Sequence, residues 1–307
     1  MPHPHSGSRR PLVFGEALFD LFPDGHSVLG GAPFNVAWHL RGFGLDPLFI
    51  SRVGRDSEGE EVRDRMREWG MDLSGLQWDE TWPTGRVRVE FIEGEPQYTI
   101  AADQAYDRID QVAALEAARN LQSALLYHGT LALRGKFSRE ALQALRDGLS
   151  LETLVDLNLR DPWWDPVSAR STAEAASCVK LNLEELRHFA SKSEKESPAE
   201  DLAQTYRKRW DVDLLVLTRG SEGAVIADKR RTLSFPADNP SKLVDPVGAG
   251  DAFTAVLVLG LLEHWPLEIC MKRAGSFAAL ICGLRGAIPE KREPYDMHLD
   301  AWRREAI

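Results

Sequence analysis

Along most of the chain, short runs of consecutive apolar residues alternate with longer segments in which apolar residues recur every three or four positions. The runs at 12–18, 48–53, 124–128, 153–156, 178–181 and 213–218 lack polar alternation, the pattern of strands covered on both faces of a parallel sheet. The segments 33–42, 58–69, 138–149 and 199–210 have helical spacing. In the second of these, Val62, Met66 and Trp69 form one stripe, while Glu60, Arg63, Asp64 and Arg67 fall off it. Strand and helix repeated in this way predict an α/β fold built on an open sheet.

Two stretches break the rhythm. Residues 19–30 are punctuated by Pro and Gly, and residues 85–101 read as a hairpin in which Arg86 to Phe91 alternates, Glu93-Gly94-Glu95-Pro96 turns and Gln97 to Ile100 returns. Together they predict a small sheet at the rim of the main domain, a lid formed by about 19–30 and 84–102. The charged, Ser-rich run 191–197 predicts an exposed loop, and a short helix is expected around 296–305. Residues 1–10 read as a loose tail without the apolar run of a secretory signal, and 11–307 as one domain without internal repeats.

Composition narrows the function classes. A chain of 307 residues with 43% hydrophobic residues can bury a sizeable core. Its 37 basic and 47 acidic residues give a net charge of −10, which disfavours a phosphate-backbone footprint, so nucleic acid is not an expected partner. Cys178, Cys270 and Cys282 have no CxxC spacing and are expected to be buried, reduced thiols, neither a disulfide scaffold nor a metal site. The longest apolar stretch, 252–262, is interrupted by Thr254 and Gly260 and is about half the roughly 20 residues that span a bilayer, so no membrane association is expected. A soluble, cytoplasmic protein follows. His128, His188 and His264 have no partner at ligand spacing, and no zinc site or nucleophilic triad is visible.

The most informative segment is Asp245-Pro246-Val247-Gly248-Ala249-Gly250-Asp251-Ala252-Phe253, followed at once by an apolar helical run. Small residues before a helix let backbone N–H groups converge, and the positive helix end favours an anion there. A carboxylate at that opening would repel a resting phosphate, so Asp251 reads either as a base facing a substrate hydroxyl or as an ordinary helix cap beside a tight bend. The segment is neither a Walker A loop nor a dinucleotide fingerprint. In a second segment, Gly30-Gly31-Ala32-Pro33-Phe34-Asn35-Val36-Ala37, paired glycines precede a helix whose first turn carries Asn35. Backbone and amide together suit a polyhydroxylated ligand, though a plain helix start has the same pattern.

These two motifs, in this order, resemble the N- and C-terminal patterns of the PfkB, or ribokinase-like, sugar kinases, together with Gly44 and Val53-Gly54-x-Asp56. The resemblance runs from Gly15 to about Pro289. Within that family the chain is most similar to bacterial fructokinases, through Gly15-Glu16-Ala17-Leu18-Phe19-Asp20, Leu126-Tyr127-His128-Gly129-Thr130 and Asp156-Leu157-Asn158-Leu159-Arg160. It implies a ribokinase-like three-layer α/β/α fold with an open, mostly parallel sheet and a small β-sheet lid. The implied activity is ATP-dependent transfer of the γ-phosphoryl group to a primary hydroxyl of a ketohexose, D-fructose to fructose 6-phosphate.

The resemblance also implies roles. Asp20, Gly30, Gly31, Asn35, Asn158 and Arg160 would bind the sugar, and Asp251 would accept the hydroxyl proton beside the amides of Gly248, Ala249 and Gly250. Arg160 would also serve the transfer end. Asn182, Thr218, Gly220, Gly223, Gly248 and Gly250 would hold the nucleotide. Glu185 would reach magnesium through water, and Asp245 is the candidate for a monovalent cation such as potassium; adenine would lie between the 218–223 loop and 279–286. Asn182 with Glu185 is equally an ordinary capping box. Pro246 and Val256 depart from the commonest family pattern, and Pro246 removes an N–H. A homodimer through the lid is expected. The alternatives are a kinase for another sugar, a sugar acid such as 2-keto-3-deoxygluconate, ribose or a nucleoside, and, in a different class, a non-catalytic sugar sensor.

Overall fold

The alternation of runs resolves into thirteen strands and ten α-helices in the computed structural model, among described residues 10–92, 95–121, 125–238 and 243–305. Residues 1–9 of the expected tail 1–10 and turn residues Glu93 and Gly94 lie outside those residues, as does Ala124 at the start of one expected strand. In chain order the first half holds β1 (Leu12–Phe14), β2 (Leu18–Leu21), β3 (Ser27–Gly30), α1 (Ala32–Gly42), β4 (Leu48–Gly54), α2 (Ser57–Trp69) and β5 (Leu76–Asp79). Next come β6 (Gly85–Ile92), β7 (Glu95–Ile100), α3 (Gln111–Ala118), β8 (Leu125–His128), α4 (Lys136–Gly148) and β9 (Glu152–Asp156). The remainder is α5 (Pro166–Glu174), β10 (Cys178–Asn182), α6 (Leu183–Phe189), α7 (Ala199–Arg209), β11 (Leu214–Thr218), β12 (Ala224–Ala227), β13 (Thr232–Phe235), α8 (Ala249–Leu262), α9 (Leu267–Cys282) and α10 (Glu293–Glu305).

The described chain divides into two compact units, one made of residues up to 121 with 132–150, the other of 125–131 with 151–305. In the first, β1, β4 and β5 run parallel, with Leu12 opposite Leu48 and Ser51 opposite Leu76. A separate four-stranded sheet has the order β3-β2-β6-β7. The two stretches that break the sequence rhythm therefore share one sheet, β2 pairing parallel with β6. The run 12–18, expected as one strand, is two: the chain breaks at Gly15 (φ 149°) and passes from one sheet to the other. A Cβ on Gly15 would lie 2.4 Å from Pro33 Cγ, so the crossing needs glycine for space as well as for backbone. Hydrophobic periodicity records burial on both sides of such a crossing and cannot mark it.

A tryptophan pair and a capping carboxylate anchor this unit. Trp38 of α1 stacks on Trp69 of α2 at 4.7 Å, and the Trp69 indole N–H donates to the Trp38 carbonyl at 3.0 Å. Asp56 caps α2 by accepting from Gly59 N at 2.9 Å, and its carboxylate also takes Thr84 N at 2.9 Å and Thr84 Oγ1 at 2.6 Å. The cap thus ties α2 to the residue that precedes β6.

In the second unit β8, β9, β10 and β11 are parallel, and β12 and β13 continue the sheet antiparallel. Val155, Leu157, Val179 and Leu181 sit in one buried cluster with Leu202, Tyr206 and Trp210 of the α7 region. Because strand side chains alternate, Asp156 and Lys180 must face the other way. That face is covered by α8, whose Thr254 hydroxyl lies 3.2 Å from an Asp156 oxygen. Among the described residues no helix is long and apolar enough to cross a membrane.

Candidate active site

The start of α8 is shaped by Gly248, which is left-handed (φ 81°, ψ −6°). A Cβ there would lie 2.4 Å from Ala287 Cα, so a side chain would meet backbone in addition to adopting an unfavourable φ. Asp245 braces the approach: its Oδ1 accepts from Val247 N at 3.0 Å and its Oδ2 from Gly286 N at 3.2 Å. Ala249, Gly250 and Asp251 then form the first turn at the positive end of the helix dipole, with the Ala249 N–H donating to the Pro246 carbonyl at 3.3 Å. Asp251 is half-buried in that turn.

A cavity of about 620 Å³ opens beside it. Ala249, Gly250, Pro246 and Phe253 line one side, Thr218, Gly220 and Gly223 another, and Ala278, Ala279 and Cys282 of α9 a third. Gly220 and Gly223 both have positive φ (56° and 93°) in the short 3-10 turn after β11, and a Cβ on Gly223 would lie 2.0 Å from the Phe235 carbonyl oxygen. A mostly apolar slot that ends at a helix N-terminus fits a flat ring at one end and phosphates at the other.

Asn182 caps α6, its Oδ1 accepting Glu185 N at 2.8 Å while Glu185 Oε2 accepts Asn182 N at 2.8 Å. Glu185 Oε1 also takes Leu159 N at 2.7 Å. Burial, and then the charge of Asp156, push the Glu185 carboxyl above its ordinary value, against the bonds from these amides. Each Glu185 oxygen keeps a lone pair beyond its amide donor, as contact through water requires. Among the described residues no three His, Cys, Asp or Glu side chains converge as a metal cage.

One group of residues was missed in the sequence. Lys180 Nζ meets Asp156 Oδ2 at 2.6 Å, and both side chains are more than nine-tenths buried. Burial works against the ammonium charge. Asp156 beside it, with Glu185 and Asp251 further off, outweighs burial and holds Lys180 above the ordinary ammonium range. The signal was available: a lysine inside the apolar run Cys178-Val179-Lys180-Leu181 is the informative kind of exception.

In the first unit, Asp20 of β2, Gly30 at the end of β3 and Asn35 in the first turn of α1 converge. The position a Gly30 Cβ would take lies 3.9 Å from Asp20 Oδ2 and 4.0 Å from Asn35 Oδ1. Gly31 (φ 105°) opens α1, and a Cβ on it would lie 2.7 Å from the Glu16 carbonyl oxygen. Asn158 is left-handed (φ 39°) in the loop after β9; Arg160 follows it, exposed and outside the cavity lining. Cys178 and Cys270 are buried free thiols; burial pushes both up, Cys270 to about 12, while Cys282 is half-buried.

A mostly parallel α/β architecture with an acid in a glycine-shaped, anion-receptive helix start suits phosphoryl transfer. The family profile of the pfkB carbohydrate kinases matches residues 17–293, and the chain belongs to that family. It is 29% identical to a fructokinase of Escherichia coli, covering 93% of this chain and 98% of that one. It is 32% identical to a fructokinase of Klebsiella pneumoniae, covering 82% and 84%. An aminoimidazole riboside kinase of Salmonella typhimurium is 26% identical over 90% of both. Among solved structures, a variant fructokinase of Vibrio cholerae with fructose, ADP and potassium bound superposes with a TM-score of 0.77 at 25% identity, covering 92% and 95%. A fructokinase of Xylella fastidiosa with ATP bound gives 0.83 at 21% identity, covering 97% and 99%, and shows the shared ribokinase-like fold.

Proposed function

We propose that this carbohydrate kinase is a fructokinase, transferring the γ-phosphoryl group of ATP to a primary hydroxyl of D-fructose to give fructose 6-phosphate and ADP. The observation that carries the reading is Asp251 in the first turn of α8, behind left-handed Gly248 and beside the cavity lined by the 218–223 turn. In this reading ATP occupies that cavity, with Asn182 near its phosphates. Asp20, Gly30, Gly31 and Asn35 hold the sugar, joined by Asn158 and Arg160. The sugar oxygen attacks the γ-phosphorus, the bond to the β-phosphate oxygen breaks, and Asp251 takes the hydroxyl proton. Amides of Ala249, Gly250 and Asp251 receive the charge that develops on the transferred group.

Magnesium, when bound, would neutralise the phosphates, held by Glu185 through water, and Asp245 is the residue proposed for a potassium ion. The four-stranded sheet is proposed as a lid that excludes water. Its distal end leaves Phe91 and Tyr98 more than half exposed, which supports pairing of two copies through it. A cytoplasmic location suits free thiols and ATP.

The test is ADP release across fructose, ribose, 2-keto-3-deoxygluconate and ribosides. Fructose should give the highest kcat/KM, and preference for another acceptor would replace the substrate while keeping the enzyme. Asp251→Asn should lower kcat at least about 10²-fold with sugar binding retained. Unchanged turnover would remove Asp251 from the proton step. Sugar-induced stabilisation with no ADP from any acceptor would instead favour a sensor.

A further inference from the structure

The β9–β10 register sets Lys180 directly opposite Asp156 on neighbouring parallel strands. With Val155, Leu157, Val179 and Leu181 committed to the opposite core, both charged side chains point toward α8. Lys180 Nζ reaches to 3.5 Å from the point a Gly250 Cβ would occupy, beneath the first turn of that helix. Asp156 Oδ2 takes Lys180 at 2.6 Å and lies 3.2 Å from Thr254 Oγ1, which is itself 2.8 Å from the Gly250 carbonyl. Lysine, aspartate, threonine and the first helical turn therefore form one connected unit.

Stability alone gives little reason for this arrangement. Burying an ion pair costs desolvation that its attraction barely offsets, and apolar replacements of both partners are often neutral or better. A cation at the N-terminal end of a helix also sits at the wrong pole of the dipole. The placement becomes favourable when further negative charge arrives at that helix start, as it does during phosphoryl transfer.

We propose that Lys180 is a positioning residue of the transfer site: pinned by Asp156 under the first turn of α8, it fixes Gly250 and Asp251 and sets a buried positive charge beneath the amides that receive the phosphoryl group. This rests on the kinase reading of that helix start. Lys180 does not touch the nucleotide in this account; it acts through the turn it supports.

The test measures kcat, both KM values and thermal denaturation for Lys180→Met and for Lys180→Met combined with Asp156→Asn, alongside wild type and Asp251→Asn. Lys180→Met should lower kcat by about 10²-fold, the cost of misplacing reacting groups by a fraction of their spacing, with the sugar KM within about threefold. It should also denature at lower temperature, because Asp156 is left buried and unpaired. The double variant removes both charges, so its denaturation temperature should return toward wild type while kcat stays at least about tenfold down. Recovery of wild-type kcat in the double variant would overturn the proposal, since the pair would then merely neutralise itself. Wild-type kcat in folded Lys180→Met would overturn it as well. Failure of the underlying reading looks different: Asp251→Asn would match wild type, or wild type would release no ADP.

Discussion

Gly248 has two constraints at one atom, a left-handed backbone and a neighbour that leaves no room. Alanine there meets a penalty of about 1–2 kcal/mol for the conformation. It must also displace the Ala287 backbone, 2.4 Å from the new Cβ. Gly248→Ala should therefore shift the α8 start and reduce kcat more than it reduces folding stability; comparing turnover with urea denaturation checks this. Equal loss in both would reduce Gly248 to a folding residue. At the same scale Pro246 is a departure with a limited consequence, because the amides proposed to receive the phosphoryl group belong to Ala249, Gly250 and Asp251.

At the scale of elements, α2 is held by Asp56, whose carboxylate serves both the helix cap and Thr84 before β6. Burial opposes its ionisation, but bonds from Thr84 and Gly59 and the charge of Arg86 outweigh this and hold its carboxyl below the ordinary 3.8. A depressed carboxyl contributes fully above its unfolded value and loses that contribution as pH falls through the native one. Asp56→Ala should cost about 1–2 kcal/mol near neutrality, as a lost cap does. The difference from wild type should shrink below about pH 3.8. Denaturant titrations at pH 7 and pH 3 measure both; a gap that is constant with pH would show that the charge of Asp56 contributes nothing. The position was readable from Val53-Gly54-x-Asp56, but the bond to Thr84 was not, because it joins residues 28 apart.

For the whole molecule, the proposed nucleotide cavity lies entirely in the second unit. A non-hydrolysable ATP analogue at a hundred times its Kd should stabilise the folded chain by about 2.7 kcal/mol, a rise of roughly 4 °C in Tm. Hydrogen exchange should slow at 218–223 and 245–251 without sugar. No change at those amides would remove the cavity from nucleotide binding. The same scale explains which elements escaped the sequence. β5, β12 and β13 are defined by pairing with β4, β11 and each other, partners distant or reversed in direction that no run of their own announces.

Burial and chain order were legible in the sequence by itself. Apolar runs exposed the parallel strands, glycine and acid spacing exposed the start of α8, and the two motifs carried the resemblance to sugar kinases, because each depends on neighbours within about ten residues. The tertiary structure decided what depends on distant partners. Gly15 sends one apolar run into two sheets because Pro33 occupies the space beside it. Lys180 is held against Asp156 because parallel pairing brings the two strands into register, and Thr254 reaches that pair from α8. Local sequence encodes backbone conformation and the side that is buried. Which charged groups meet beneath a helix is set by strand register and packing across the sheet.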